Sequence, residues 1–111
     1  MTLFNNVYAE KFITHCDITT YSQGTITYDG TKINQEDLKS EKIKYVAISP
    51  DLMWKVSMGD IIEIEGLGRF EVHDKTSSRL HHTIDILQHY SKKHFKLNKV
   101  KVTLIKKIKH D

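Results

Sequence analysis

Two aspartates eleven residues apart are the residues of this sequence best suited to acid–base chemistry. Asp74 directly follows the segment 69–73, and Asp85 lies between Ile84 and Ile86. A carboxyl group held among apolar side chains is partly removed from water, so its pKa rises toward the range of a general acid near neutral pH. The alternative is that both are structural residues, at the edge of a strand or in a turn, and composition alone favours it.

The other reactive side chains form no known catalytic or metal-binding pattern. His81, His82 and His89 surround Asp85 in the sequence, but their spacing repeats no zinc motif, and neighbours on a strand point to opposite faces. We therefore expect no metal ion and no other cofactor. The single cysteine, Cys16, cannot form an internal disulfide, and we expect its thiol to be buried and inert.

Charge is unevenly distributed along the chain. The 111 residues carry 17 Lys and Arg against 14 Asp and Glu, a net charge of +3, yet residues 92–111 hold eight lysines and one acid. A basic segment of this kind favours a polyanionic partner such as nucleic acid, anionic lipid or cell-wall polymer. A solvated lysine face is an equally good interpretation. Nucleic acid is the least favoured partner, because the aromatic residues are too few to stack on successive bases.

Alternating apolar and polar residues indicate a mainly β chain. The pattern predicts strands at 25–28, 44–48, 60–65, 69–73 and 99–104, with turns at 29–30 and 66–68. Helical spacing is limited to one turn at 34–38 and a stronger candidate at 87–97. We expect a single domain over residues 1–111, built as a closed barrel or a sandwich of about six strands with one short helix near 87–97.

The order of these elements resembles that of a known family. In order along the chain, the matching segments are 46–50, 58–60, 61–64, 66–68, Asp74 and Ile84–Ile86. This arrangement resembles the three-aspartate (3D) domain of the RlpA-like double-psi β-barrels, which also include the catalytic barrel of membrane-bound lytic transglycosylase A. Its hallmark is a pair of aspartates spaced like Asp74 and Asp85, with an aliphatic residue before the second. The resemblance implies a small six-stranded double-psi β-barrel.

The resemblance also implies a site that cleaves or binds the glycan strands of peptidoglycan. Asp85 matches the acid that protonates the glycosidic oxygen in a lytic transglycosylase, where an internal hydroxyl of the muramic residue attacks in place of water. Asp74 would orient Asp85 or tune its pKa electrostatically. The residues implied to contact the glycan are Thr20, Tyr21, Ser49, Arg79 and Thr83.

A non-catalytic barrel is the alternative. Ser49 stands where the family commonly has an aspartate, and Lys75 and Thr76 replace the glycine pair that usually follows the first aspartate. These departures favour a barrel that binds a glycan or a protein partner, for example as a component of a phage tail or a cell-envelope assembly.

The sequence leaves the location of the protein open. No apolar run is long enough to span a membrane, so we expect no membrane span. The segment 1–6 has neither the basic nor the apolar region of a signal peptide. A wall-acting protein without such a signal would reach the wall if a phage encoded it, through release at lysis or carriage in the virion.

Overall fold

The computed structural model describes residues 11–108, in which six strands close into a barrel. The strands are β1 (Ile13–Tyr21), β2 (Tyr45–Ile48), β3 (Ile61–Ile64), β4 (Gly68–Lys75), β5 (Thr83–Leu87) and β6 (Leu97–Lys106). Within these residues the helical segments are one short helix, α1 (Gln35–Lys39), and one 3-10 turn, Pro50–Leu52. The predicted mainly β, six-stranded barrel is confirmed.

The strand order around the barrel is β1-β5-β2-β4-β3-β6. The pairs β1–β5 and β2–β4 are parallel, and the other four pairs are antiparallel. Since β5 and β2 both lie between β1 and β4, segments far apart in the sequence become neighbours. The two predicted aspartates belong to β4 and β5, which flank β2 on either side.

The inward-facing residues of all six strands fill the barrel interior. The buried cluster contains Cys16, Ile18, Val46, Ile48, Leu52, Val56, Ile62, Ile64, Phe70, Val72, Ile84, Ile86 and Val102. Burying a side chain of this size contributes about 1.5–3 kcal/mol, so these positions supply most of the driving force for closure. A second cluster, of Ile33, Leu38 and Leu87, packs α1 against the outside of the barrel.

The helix predicted at 87–97 does not form. Strand β5 ends at Leu87 and β6 begins at Leu97, and turns and loop occupy the residues between them. Gln88 donates its side-chain amide to the backbone oxygens of Lys92 and Lys93, at 3.4 and 3.1 Å, and such local bonds compete with a helix. The helix lies instead at α1, where the Asn34 side chain caps the first turn. No helix among residues 11–108 is long and apolar enough to cross a bilayer.

The strand predicted at 25–28 is also absent. The segment makes one isolated bridge, between Ile26 and Lys32, around the predicted turn at Asp29 and Gly30. The Thr27 hydroxyl donates to Asp29 Oδ1 at 2.7 Å, and this side-chain bonding favours a tight loop over a sheet ladder. We name residues 25–33 the clamp loop, because it is fastened to the end of β4.

A register shift in the β2–β4 pair determines where Asp74 points. Val46 pairs with Val72, but the next residue of β2, Ala47, pairs with Asp74. One residue of β4, His73, is therefore extra, as in a β-bulge. Without the bulge, strict alternation would place Asp74 on the same face as Val72, inside the barrel. The shift moves it to the outer face.

Candidate functional site

Four strands contribute one residue each to a row across the outer face of the barrel. Thr19 pairs with Asp85, Asp85 pairs with Ala47, and Ala47 pairs with Asp74. We name these four residues the outer row. Their neighbours Ile18, Ile84, Val46 and Ile48 belong to the core, so the row faces away from it. Because adjacent strands lie about 4.8 Å apart, the two aspartates are separated at the backbone by roughly two strand spacings, about 10 Å.

Asp74 accepts three hydrogen bonds from the protein, out of about four that a carboxylate can accept. Its Oδ1 accepts the backbone N–H of Tyr28 at 3.1 Å and that of Lys75 at 2.9 Å. Its Oδ2 accepts the phenolic O–H of Tyr21 at 3.0 Å. Burial, together with the negative charge of Asp74, raises the pKa of Tyr21, so the phenol stays protonated and keeps donating. This carboxylate ties β4 to β1 and to the clamp loop.

Asp85 is bonded far less. Its Oδ1 accepts the Thr19 hydroxyl at 2.8 Å, and within residues 11–108 no other side chain or backbone group hydrogen-bonds to this carboxyl. Burial raises the pKa of Asp85, and the charge of Asp74 raises it further, while the Thr19 hydrogen bond and the charge of His94 act in the opposite direction. One partly desolvated carboxyl with a free oxygen is therefore available on the outer face.

The prediction that Ile84 and Ile86 enclose the Asp85 carboxyl is wrong. Ile84 and Ile86 pack in the barrel interior, on the opposite face of β5, and do not enclose the carboxyl. Alternation along a strand requires this, because residues on either side of a position point the other way. The predicted electrostatic influence of Asp74 on Asp85 does agree with the direction of the Asp85 pKa.

The residues implied to contact glycan are not all brought together. Tyr21 lies beside the outer row through its bond to Asp74. Thr20 faces another direction, where its hydroxyl lies 2.6 Å from His94 Nδ1 and accepts the backbone N–H of Phe95 at 3.4 Å. Arg79 is exposed in the loop between β4 and β5. These three stay candidates for ligand contact.

Ser49 and Thr83 are structural in this fold. Ser49 is fully buried, and its Oγ accepts the backbone N–H of Thr83 at 2.9 Å. The Thr83 hydroxyl donates to the backbone oxygen of His81 at 2.8 Å, and its residue is 5% exposed. A glycan cannot reach either hydroxyl, because both are enclosed where β2 ends and β5 begins.

Three residues near the row were not predicted from sequence. Thr19 donates a hydrogen bond to Asp85. The signal available in the sequence was its position directly after Ile18. Tyr28 presents a ring that is 55% exposed next to Asp74, with Lys75 Nζ 4.3 Å from the ring centroid. His94 acts electrostatically on Asp85 from the segment predicted to be helical. No sequence pattern links His94 to Asp85, nine residues before it.

The remaining histidines and the cysteine do not form a second reactive site. Among residues 11–108 no group of three or more His, Cys, Asp or Glu is arranged to hold a metal ion. Cys16 is buried in the core, and this burial raises its pKa to about 12. The prediction of a buried thiol is confirmed, and at neutral pH it stays protonated and unreactive.

Solved structures of similar fold come from two kinds of protein. A papain inhibitor from Streptomyces matches with a TM-score of 0.60 and 20% identity, over 88% of this chain and 96% of that chain. An expansin from Clavibacter michiganensis matches with a TM-score of 0.56 and 16% identity, over 89% of this chain and 53% of that one. An aspartate-to-asparagine mutant of a Clavibacter michiganensis expansin in complex with cellohexaose matches with a TM-score of 0.52 and 16% identity, over 86% and 50%.

These likenesses establish the fold. The papain inhibitor and the expansins are double-psi β-barrels, and the present chain has the same fold over most of its length. The chain spans about half the length of the expansin chains that it matches. No protein-family model matches the sequence, and a search of curated proteins gives no match.

Proposed function

We propose that this chain is a non-catalytic double-psi β-barrel that binds a β-1,4-linked glycan strand across the outer row. The observation that carries the proposal is the contrast within the row. Asp74 accepts three hydrogen bonds from the protein, whereas Asp85 offers a partly desolvated carboxyl bonded only to Thr19 among the described residues. The complex of a related barrel protein, an expansin, with cellohexaose supports a glycan as the ligand.

The chemistry of the row suits a sugar. A sugar hydroxyl both donates and accepts, so it can donate to the free oxygen of Asp85 and accept from an imidazole N–H such as that of His94. Tyr28 lies at the other end of the row, next to Asp74. Its exposed ring offers an apolar face to the ring carbons of a sugar, as aromatic side chains with one wet side do at many interfaces.

Cleavage by a lytic transglycosylase mechanism is the second candidate, and the raised pKa of Asp85 favours it. A protonated Asp85 would give its proton to the glycosidic oxygen and then, as carboxylate, accept the proton of the attacking sugar hydroxyl. This reaction needs one acting carboxyl, unlike two-carboxylate hydrolysis. The spacing of Asp74 and Asp85 supports membership of the three-aspartate family, and this membership is part of the second candidate.

Binding is tested directly with cellohexaose, with chitohexaose and with purified peptidoglycan. Isothermal titration with the soluble sugars and co-sedimentation with peptidoglycan are run on the wild type and on Asp85→Asn. We expect Asp85→Asn to weaken binding at least tenfold, because it replaces a charge-assisted acceptor with a weaker neutral one. Asp37→Asn is the matched control, since it makes the same change on α1, outside the outer row.

Two outcomes overturn the binding proposal. In one, none of the three glycans binds to folded wild type, and a protein partner then becomes the better hypothesis. In the other, Asp85→Asn and Asp37→Asn bind as tightly as the wild type, which means that the glycan lies elsewhere on the surface. Mass spectrometry of the same peptidoglycan incubations separates the two candidates. Anhydro-muropeptides made by the wild type but not by Asp85→Asn would establish cleavage instead of simple binding.

A further inference from the structure

A cavity of about 190 Å³ opens between α1, strands β4 and β5, and the segment that joins β5 to β6. Phe70, Ile86 and Leu87 line it from the strands, Leu38 lines it from α1, and Phe95 covers it from the segment between β5 and β6. No residue of the outer row contributes to it. Apolar cavities with a few polar groups at the mouth are the usual form of small-molecule sites.

The Lys44 ammonium lies in the wall of this cavity without a carboxylate partner among residues 11–108. Its Nζ is 4.6 Å from the centroid of the Phe70 ring and donates to the backbone oxygen of Leu67 at 3.3 Å. It also lies so close to Gly68 that a Cβ at that position would be 3.1 Å from it. An ammonium has three donors, and one carbonyl uses one of them.

The charged lining residues are mainly basic. Lys44 and Lys92 line the cavity, and Glu41 is the one acid among the lining residues. Glu41 is exposed and makes no ion pair with Lys44. A part-buried cation that lacks a counter-charge is costly, and a bound anion would remove that cost.

We propose that this cavity binds a small carboxylate whose apolar body is a single ring. An apolar cavity of about 150 Å³ is known to accept benzene, so 190 Å³ accommodates one ring and a short acidic group. The ring would pack against Phe70 and Ile86, and the carboxylate would accept from Lys44 Nζ. This site is independent of the glycan proposal, because the two share no residue.

The test uses three probes of matched shape: phenylacetate, phenylacetamide and the phenethylammonium ion. Each is titrated into ¹⁵N-labelled protein, and the amide shifts of Leu87, Gln88 and Phe95 are followed by NMR. We expect phenylacetate to bind at least tenfold more tightly than phenylacetamide, because its hydrogen bond to Lys44 is charge-assisted. The cationic probe should give no shifts at these amides.

Three variants distinguish binding in the cavity from binding to other lysine-rich parts of the surface. Lys44→Met keeps the apolar stem and should reduce the preference for phenylacetate over phenylacetamide to less than twofold. Lys42→Met is the matched control on a neighbouring exposed lysine and should leave it unchanged. Phe95→Ala, in an exposed loop position that the fold tolerates, should weaken both probes.

Three results overturn this proposal: no shifts at the cavity amides, shifts that map to another surface, or a Lys42→Met effect equal to that of Lys44→Met. If Lys44→Met does not fold, Phe95→Ala decides the question, and unchanged probe binding by that variant also overturns the proposal.

Discussion

The carboxyl groups of Asp74 and Asp85, on either side of Ala47, differ in the number of hydrogen bonds that they accept from the protein. On the β4 side, Asp74 holds three protein donors and joins β1, β4 and the clamp loop. On the β5 side, Asp85 holds one hydroxyl, from Thr19. A residue whose bonds are all made inside the protein stabilises the fold, whereas a residue with a spare oxygen is free to meet a ligand.

The β4 side is reinforced next to Asp74 by a second polar cluster. His73 Nδ1 lies 2.7 Å from Asp29 Oδ2, and His73 Nε2 lies 2.9 Å from Glu71 Oε1. Both ring nitrogens face carboxylates, so the protonated ring can donate to both. Although burial opposes the charge, these two hydrogen bonds raise the pKa of His73. Hydrogen bonds from His73, Thr27 and Thr31 overcome burial and lower the pKa of Asp29 to about 2.

The largest expected effect on the free energy of unfolding comes from removing the Asp74 carboxyl, and removal of the Asp85 carboxyl is the comparison. Asp74→Ala leaves three donors without their acceptor, and we expect it to lower the free energy of unfolding by about 3 kcal/mol. Asp85→Ala loses one hydrogen bond and relieves a desolvated carboxyl, so its cost should stay below about 1 kcal/mol. Urea unfolding followed by circular dichroism measures both. Equal losses of unfolding free energy in the two variants would contradict the distinction between a structural and a ligand-facing carboxyl.

A smaller effect should follow from trimming one donor of Asp74. Tyr21→Phe removes the phenolic hydroxyl that bonds Asp74 Oδ2, and we expect a loss of about 1 kcal/mol in the same unfolding experiment. Tyr28→Phe is the control, because the Tyr28 ring is exposed and the contact to Asp74 uses its backbone N–H. That variant should stay within about 0.5 kcal/mol of wild type. A larger loss for Tyr28→Phe than for Tyr21→Phe contradicts the assignment.

The β4 side should also depend on pH through His73. The pKa of His73 is higher in the folded than in the unfolded state, so folding binds its proton more tightly. This contribution is complete below the unfolded value, near 6.5, and is lost as the pH rises through the folded pKa. We expect the free energy of unfolding to fall from pH 6 to 9, and His73→Gln to flatten that slope. An unchanged slope in His73→Gln assigns the dependence to another group.

The smallest expected effects are shifts in the titration of Asp85, followed by ¹³C NMR of its carboxyl. The pKa of Asp85 is raised chiefly by burial and additionally by the charge of Asp74, so Asp74→Asn should lower it. Thr19→Val removes a hydrogen bond to the charged form and should raise it. Because the folded pKa is above the unfolded one, protonation of Asp85 should stabilise the protein as the pH falls through the folded value. A rise of the Asp85 pKa in Asp74→Asn, or a fall in Thr19→Val, would mean that the row does not couple these residues.

Period-two alternation predicted the strands correctly where a barrel wall needs one apolar face. It succeeded for β2, β3, β4 and β6 and for the turn at 66–68. Alternation failed at 25–28, and helical spacing failed at 87–97. At these places the local hydrogen bonds of Thr27 and Gln88 outweigh intrinsic propensity. Those bonds depend on where the chain turns, which a single sequence does not specify.

The sequence by itself determined a mainly β chain, an inert buried cysteine and the identity of the two aspartates. Only the tertiary structure decided their roles. Alternation from Val72 would send Asp74 into the core, and the extra residue His73 in the β2–β4 register turns it outward beside Asp85. Two of the three donors to Asp74, from Tyr21 and Tyr28, come from β1 and the clamp loop, both more than forty residues away in sequence. Bonds over such separations form when the barrel closes, and no local pattern of residues encodes them.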